Sequence, residues 1–391
     1  MYQHCNKLGR REFLETTSSL ALGLGLGGSL GQTAVRAFEP PAVVPDRADV
    51  GIARGSNIEE AVRRAVALAG GMGFIKEGQT VLIKPNVTGA LKSPTTTNPE
   101  VLYATIKLVA ERGPKRIIVA DRSFSAKFVV TTPKTIDVMK KVGHLDAVNQ
   151  AISDVKAPVV AVGLEDAPEE LERLGVPKGT SHWRRIHPKQ ATHWPNGFQL
   201  AELLFAVDHV INVPVIKTHF QAWFTMSMKA FVGMSHHDSR LEFHRTWVSD
   251  GRTLANQKSS RRRGIKKDPA KEAEELAPFV NRIAELNLGI TPALNILDGS
   301  RSFVFGGPSN GDEAEPKLIV ASRDRIAADA TGVAVLKNIG TEDRLQNRSV
   351  WDTPFLRHGI KIGLGIDSVA KLNLKSEGLD KEIDGIRKML V

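Results

Sequence analysis

Short uninterrupted apolar runs alternate with amphipathic stretches along most of the chain, and this alternation predicts the order of strands and helices. Apolar runs of this kind are typical of strands that are buried on both faces. They predict strands at 49–54, 80–84, 116–121, 158–162, 209–217, 293–298 and 317–321. Apolar residues that recur every three or four positions predict helices at 58–69, 99–111, 132–143, 220–234, 273–288 and 324–339. The pattern indicates an α/β fold with a mostly parallel sheet covered by helices on both faces.

Local signals support several of these boundaries. Ser56 and Glu59 have capping-box spacing before the first helix, and Pro99 stands at the start of the second. Segments 165–200 and 235–270 break the alternation, and we expect them to be loop-rich insertions into a single domain that spans 38–391, the first being either an insertion or a hairpin excursion. The last 50 residues are predicted to hold one or two helices and a short strand.

The amino terminus has the pattern of an export signal. Arg10-Arg11 precedes Phe13-Leu14 and a glycine-rich apolar run at 20–30, as in signals for the twin-arginine machinery. This run is shorter than the roughly 20 apolar residues of a membrane span. We therefore predict a twin-arginine signal peptide at 1–37 and a periplasmic or otherwise exported protein without a permanent membrane span in its mature form. An uncleaved anchor is the alternative.

Charge and cysteine content narrow the possible partners. The chain has 53 basic and 43 acidic residues, a net charge of +10, which is compatible with an anionic ligand. A basic tract at 258–267 contains no aromatic residues, so a solvated loop is expected there and nucleic acid is not expected as a partner. An interaction protein whose tract docks an acidic partner is a further alternative. The single cysteine, Cys5, precedes the predicted mature chain, which excludes an iron–sulfur cluster but leaves a metal possible.

Polar residues follow several predicted strands where those strands end. Ligands of open parallel sheets bind beyond the carboxyl ends of the strands. Lysine and asparagine there can donate to a carboxylate or phosphate, while histidine and aspartate can transfer protons or hold a metal. Any one such residue is more often a cap or a loop residue, but several at one edge favour a shared pocket. The predicted substrate-binding residues are Lys84, Asn86, Lys217 and Lys229, and the predicted catalytic residues are His219, Asp298 and Asp121.

Specific roles follow for three of these residues. His219 is expected to act as a general acid or base, with Asp298 and Asp121 as carboxylate partners, or as a metal ligand. Lys217 is expected just before a helix amino terminus, which would also favour an anion. Lys229 is expected on a largely buried helix, where a ligand anion or Asp298 would have to balance its charge.

The other histidines give little indication of a metal site. His236, His237 and Asp238, with His244 nearby, are ligand types, but adjacent histidines on a regular element do not face one ion. A second group, without recognised ligand spacing, comprises His182, His187 and His193. Dinucleotide, phosphate-loop, zinc-protease and serine-hydrolase motifs are also absent from the sequence.

The leading functional hypothesis is an exported enzyme that acts on a small anionic substrate, either a carboxylate or a phosphate. The alternative is a non-catalytic periplasmic module that binds an anion through the same lysines. Such a module would not need His219 or Asp298 for affinity.

Taken together, the strand ends resemble the domain of unknown function 362 family. The matching segments are 81–86, 98–100, 118–121, 211–219, 228–233, 296–299 and 306–308, with Asp324 and Asp329. The resemblance covers most of 75–340 and implies an α/β fold with a shared pocket, without naming a reaction. Some members carry a ferredoxin-type cysteine cluster that this chain lacks. Where relatives have Lys-Asn, this chain has Lys229-Ala230, so a polar side chain is missing.

Overall fold

The structure, a computed structural model, describes residues 45–124, 134–165, 172, 183–248 and 269–391, with the backbone alone for 243–248 and 269–276. The predicted signal peptide, His182, the proposed helix start at 132–133 and the basic tract at 258–267 lie outside the described residues, as does the side chain of His244.

The strands of the described chain follow the predicted order through its first half. They are β1 Ala48–Ala53, β2 Thr80–Pro85, β3 Arg116–Asp121, β4 Val159–Gly163, β5 Trp183–Ile186, β6 Phe198–Ala201, β7 His209–Val213, β8 Lys217–His219, β9 Trp223–Thr225, β10 Leu294–Gly299, β11 Ser302–Gly306, β12 Gly311–Ala314, β13 Leu318–Ser322 and β14 Leu372–Ser376.

The described α-helices alternate with these strands. They are α1 Ile58–Leu68, α2 Pro99–Ala110, α3 Thr135–Val142, α4 His144–Val155, α5 Leu203–Ala206, α6 Ser227–Ala230, α7 His237–Val248, α8 Pro269–Leu286, α9 Arg325–Ile339, α10 Asp343–Gln346, α11 Pro354–Lys361 and α12 Asp380–Leu390.

An eight-stranded sheet organises the chain, in the order β14-β1-β13-β10-β7-β2-β3-β4. Strand β13 pairs antiparallel with β1 and β10, and the other neighbouring pairs are parallel. The carboxyl ends of β2, β3, β7 and β10 therefore meet at one edge. This arrangement confirms the prediction of a mostly parallel sheet and brings the predicted strand-end residues to one side of the molecule.

Helices cover both faces of the sheet, as the apolar runs predict. Alternate residues of each strand enter opposite cores, so that Val81 and Ile83 pack with α1 to α4 while Leu82 packs with α8, α9, α11 and α12. A strand buried on both faces cannot show a polar–apolar alternation. The continuous apolar runs in the sequence are the direct result.

The capping of α1 lies one residue later than predicted. The side chain of Asn57 accepts a hydrogen bond from the Glu60 amide at 2.9 Å, and the Ser56 amide and hydroxyl donate to the Glu60 carboxylate at 2.7 Å each. The reciprocal pattern is that of a capping box with Asn57 as the cap. Helix α2 begins at Pro99, as predicted, with Asn98 as its cap.

The helix predicted at 220–234 is wrong over its first half. The chain forms a two-stranded hairpin instead, with Lys217 opposite Thr225 and His219 opposite Trp223, and only then the short helix α6 and a 3-10 turn at Phe231–Met234. Residues 221–228 are all buried, so their apolar character reflects burial on every side and carries no helical period. The predicted strand at 209–217 is likewise divided, because β7 ends at Val213.

The predicted insertions contain regular structure. The first holds the antiparallel hairpin β5–β6, and the second holds α7 and the start of α8. Across the described residues, we find no helix that combines the length and apolar character required to cross a bilayer.

Close packing of α1 on β1 makes Gly51 sensitive to substitution. A Cβ atom at Gly51 would lie 2.0 Å from the Ala65 carbonyl oxygen, so Gly51→Ala must push the helix off the strand. We expect a loss of about 1–3 kcal/mol in the free energy of unfolding, as for other overpacked cores. Urea unfolding of the variant and the unmodified protein measures this loss. Gly73→Ala is the matched control, because no heavy atom lies within 4 Å of a Cβ there; equal losses in both variants would contradict the packing argument.

Candidate functional site

Lys84 and Asp121 form a buried ion pair at the carboxyl ends of β2 and β3. Their side chains are 0% and 3% exposed, and Nζ of Lys84 lies 3.0 Å from Oδ1 of Asp121. The ammonium also donates to the Pro85 carbonyl at 2.8 Å, while Oδ2 of Asp121 accepts from the Val87 amide at 2.8 Å. Burial lowers the pKa of Lys84, and the negative charge of Asp121 opposes this effect. The sequence predicted both residues for the site, and the structure brings them into contact.

Gly233 closes over this ion pair. A Cβ atom at this position would lie 1.9 Å from Oδ1 of Asp121 and 3.0 Å from Nζ of Lys84. The Gly233 carbonyl accepts a hydrogen bond from Arg240 at 2.7 Å, and Arg240 also donates to the Arg122 carbonyl at 3.1 Å. The 3-10 turn therefore lies directly against the charged pair because residue 233 has no side chain.

Buried polar contacts hold α6 on the sheet and so position Lys229. The carboxylate of Asp329 accepts from the backbone amides of Ser227 at 2.6 Å and of Met228 at 3.2 Å. The side-chain amide of Asn212 donates to the Ser227 carbonyl at 3.0 Å. Burial raises the pKa of Asp329 to about 7. The start of α6 is thereby attached to both β7 and α9.

Lys229 extends from α6 toward other cations. Burial, with repulsion from Arg240 and Lys84, lowers its pKa to about 7. The side chain is only partly covered, and within the described residues no hydrogen bond or ion pair to its ammonium is found. Asp298, one of the two partners predicted for it, is not found beside it in the described residues, and this carboxylate interacts electrostatically with Lys217 instead. An ammonium in this position is a donor that an anion can engage.

Lys217 and Asp298 occupy the adjoining part of the edge. The Lys217 ammonium donates to the Thr95 carbonyl at 2.5 Å and the Pro308 carbonyl at 2.9 Å. Burial, with repulsion from Lys229, lowers its pKa well below the usual range. The prediction that Lys217 precedes a helix is wrong, because it begins strand β8. Its ammonium connects two loops at the edge.

Asp298 and Asn86 hold loops around the same edge. Asp298 accepts from the Asn98 amide at 2.8 Å and from the Ser300 amide and hydroxyl at 3.0 and 2.6 Å; burial nevertheless raises its pKa. Asn86 donates to the Thr95 carbonyl at 3.2 Å through its side chain. Both side chains are buried and make contacts that shape the site walls.

His219 has a defined tautomer. Its Nδ1 accepts hydrogen bonds from the Gln221 and Ala222 amides at 3.2 and 3.1 Å, so the proton of the neutral ring is on Nε2. The ring stacks on Phe220 with centroids 5.4 Å apart. The pairing of His219 with Asp298 or Asp121 stays a prediction.

Two arginines at this edge were not among the predicted site residues. Arg122 follows Asp121 directly, and its Nε and Nη1 are buried without an acceptor in the described chain. It lies over the Trp183 ring at 5.7 Å. Arg240 is buried on α7, and its pKa falls to about 9 through burial and repulsion from Arg122. The strand end at Asp121 could have indicated Arg122, whereas nothing local marks Arg240.

One group in the described chain could hold a metal. Ligand atoms of His193, Glu285 and His358 all lie within 4.8 Å of one another. His193 lacked recognised ligand spacing in the sequence, and Glu285 and His358 gave no signal. The His236–Asp238 segment is not part of this group.

An open cleft of about 810 Å³ lies at the opposite edge of the sheet, near the amino ends of β1, β10 and β14. Arg47, Asp49, Arg323 and Lys375 are among its lining residues. It contains none of the predicted site residues. The predicted site differs from it in being closely packed, with Lys84 and Lys217 fully buried.

Removing one member of the buried pair should be strongly destabilising. Lys84→Met leaves the Asp121 carboxylate buried without its cation, and we expect a loss of about 3–5 kcal/mol in the free energy of unfolding. Lys84→Met combined with Asp121→Leu should recover much of that loss. Urea unfolding of the single and double variants measures the coupling.

An exposed pair provides the control for this cycle. Arg387 and Asp384 have side chains that are 59% and 66% exposed, so Arg387→Met should cost about 0–1 kcal/mol. A similarly small cost for Lys84→Met would contradict the desolvated pair.

Comparison with known proteins identifies the family of this chain. Over 263 residues the chain is 26% identical to the thylakoid-associated protein sll1697 of Synechocystis sp., an alignment covering 66% of this chain and 64% of that protein's length. The lactate racemase apoprotein of Thermoanaerobacterium thermosaccharolyticum aligns over 74% of this chain and 58% of its own, with 15% identity and a TM-score of 0.39, too low to inform function. The family model "Domain of unknown function (DUF362)" matches residues 81–334, well over half of the chain. The resemblance noted in the sequence is confirmed: the chain belongs to the DUF362 family.

Proposed function

We propose that this protein is an enzyme acting on a small anionic substrate, a carboxylate or a phosphate, at the carboxyl ends of β2, β3 and β7. The observation that carries the proposal is an excess of cations at one edge of the sheet. A cation cluster, defined here as Lys84, Lys217, Lys229 and Arg240, is opposed there by three carboxylates, Asp121, Glu165 and Asp298.

Electrostatics support an anion at this position. Three members of the cluster are neutralised or held by fixed groups, since Lys84 lies against Asp121, and Lys217 and Arg240 each donate to backbone carbonyls. Lys229 has no such partner in the described residues. Arg122 beside the cluster feels the charges of Glu165 and Asp238 but keeps two nitrogens without acceptors. Buried or half-buried cations without counter-charges are costly. A bound carboxylate or phosphate would accept charge-assisted hydrogen bonds from these donors.

The residues at this edge would then have different roles, set by their positions. Lys229, partly exposed, would bind the anion directly, and Arg122 would add planar donors that suit a carboxylate or phosphate. The Lys84–Asp121 pair and Asp298 would hold the walls in place. His219, whose Nε2 carries the proton in the neutral ring, would act as the general acid.

A non-catalytic binding module is the alternative, and it uses the same cations. One observation favours it. Both carboxylate oxygens of Asp298 already accept hydrogen bonds, from the Asn98 amide and from Ser300, and this suits a structural role for Asp298. The two functions differ in their need for His219. Loss of turnover with retained binding in His219→Ala would favour the enzyme, and retained binding without any turnover in the unmodified protein would favour the module.

We also propose that the protein is exported by the twin-arginine route. The proposal rests on Arg10-Arg11 and the following apolar run, which lie outside the described residues. Substituting Lys for both arginines should leave the protein in the cytoplasm, as cell fractionation would show.

Anion affinity should depend on the protonation of Lys229. Its pKa of about 7 without a ligand means that the ammonium form declines above that pH, whereas a bound anion favours it. Affinity should therefore be highest below pH 7 and fall by up to about tenfold per pH unit above it, until the pKa of the complex is reached. Calorimetric titration with inorganic phosphate and with a series of small carboxylates, from pH 6 to pH 9, measures this dependence.

Variants make this test specific. Lys229→Met should weaken binding by about 10–100-fold and abolish the pH dependence near 7. Lys317→Met is the control, because the Lys317 side chain is 67% exposed and lies outside the cluster. Unchanged affinity in Lys229→Met would overturn the assignment of the site.

A further inference from the structure

Three side chains from separate elements meet on the face of the sheet that α8 and α11 cover. His193 lies in the loop between β5 and β6, Glu285 is on α8, and His358 is on α11. Nδ1 of His193 lies 2.6 Å from Oε1 of Glu285, and Nε2 of His358 lies 3.0 Å from the same oxygen. The two rings are nearly perpendicular, with centroids 5.3 Å apart.

The carboxylate at the centre of this group is completely buried. The Glu285 side chain is 0% exposed, whereas those of His193 and His358 are 31% and 11% exposed. Burial acts to raise the pKa of Glu285, but hydrogen bonds from His358 and His193 outweigh it, so that the pKa lies below its usual value. The carboxylate thus lies between the two imidazole rings, with Oε1 close to a nitrogen of each.

The donor set matches a divalent transition metal. Two imidazole nitrogens and one carboxylate oxygen form a common three-residue set for zinc, and a fourth position is usually left to water. Metal bonds of about 2.0–2.2 Å require ligand atoms roughly 3.3 Å apart in a tetrahedron. The two nitrogen–oxygen separations need to increase by less than about 1 Å, and the two ring nitrogens lie within 4.8 Å of each other. The His193 side chain is partly exposed, so solvent reaches this side of the group.

A supporting shell surrounds the three ligands. Nδ2 of Asn281 lies 3.2 Å from Nε2 of His193, the nitrogen that faces away from Glu285. The second oxygen of Glu285 accepts from the His193 amide at 3.0 Å. Metal-bound histidines usually have the second ring nitrogen held in this way. With a metal on Nδ1 the ring proton is on Nε2, and an amide flip would let Oδ1 of Asn281 accept a hydrogen bond from that N–H.

We propose that His193, Glu285 and His358 form a binding site for a divalent transition metal of the zinc type. Binding replaces the ring protons that now face Oε1 of Glu285, and these are released to solvent or moved to the second nitrogen of each ring. The site joins the inserted hairpin loop to α8 and α11. It is independent of the proposed anion site, because it shares no residue with it.

The test uses the full, untagged chain after treatment with a chelator. We expect one equivalent of Zn²⁺ in calorimetry, and with Co²⁺ the intense visible absorption of a tetrahedral site. His193→Gln and His358→Gln should each weaken Zn²⁺ binding by at least about 100-fold, and Asn281→Ala by about 10–100-fold. Since His193 is partly exposed, His193→Gln is the variant most certain to fold, and circular dichroism checks that it does.

His187→Gln is the matched control, because His187 is an exposed histidine in the same loop and is not part of the group. Unchanged Zn²⁺ affinity in this control supports the site. The proposal is overturned if the unmodified chain takes up no stoichiometric Zn²⁺ or Co²⁺, or if folded His193→Gln binds as tightly. Either result would leave a proton-bridged cluster that only ties the hairpin loop to the helices. Phosphate titration of the same variants separates this outcome from failure of the anion site.

Discussion

Attachment of the short helix α6 to the sheet by buried polar groups is the constraint on which the candidate site depends. Asp329 accepts from two amides at the start of this helix, and Asn212 donates to its first carbonyl. Unpaired polar groups in this interior would be costly, so the contacts leave the segment little freedom to move. The following turn is thereby placed with Gly233 against the Lys84–Asp121 pair and Lys229 beside it.

The same edge concentrates cations that the fold does not fully balance. Parallel strands bring their carboxyl ends together, so polar residues far apart in sequence share one low-dielectric region. Burial there lowers the pKa values of Lys84, Lys217, Lys229 and Arg240, which reflects the cost of holding positive charge out of water. An anion would reduce that cost. The shared excess of cations therefore favours a ligand more strongly than any single residue does.

Each of the two insertions contributes side chains to a region of the molecule that contains buried charged groups. The first carries Trp183 to Arg122 and brings His193 to Glu285, while the second supplies Arg240 and leads into α8. Each insertion thus reaches the neighbourhood of a charged group that the sheet or its helices present. In this way segments that interrupt the strand–helix alternation add polar side chains to both regions for which we propose a function.

The sequence by itself determined the α/β class, the order of the main strands along the chain, the family and the strand-end residues. This was possible because buried parallel strands are continuous apolar runs, and the residue that ends such a run is visible in the local sequence. It also placed Lys84 and Asp121 at one edge of the sheet, since both end predicted strands, although it paired Asp121 with His219. Only the tertiary structure decided that Lys229 faces Lys84 and Arg240 instead of Asp298, and that residues 217–225 form a hairpin. It alone joined His193, Glu285 and His358. These features depend on packing between distant elements, and a segment buried on every side has no hydrophobic period from which its conformation could be predicted.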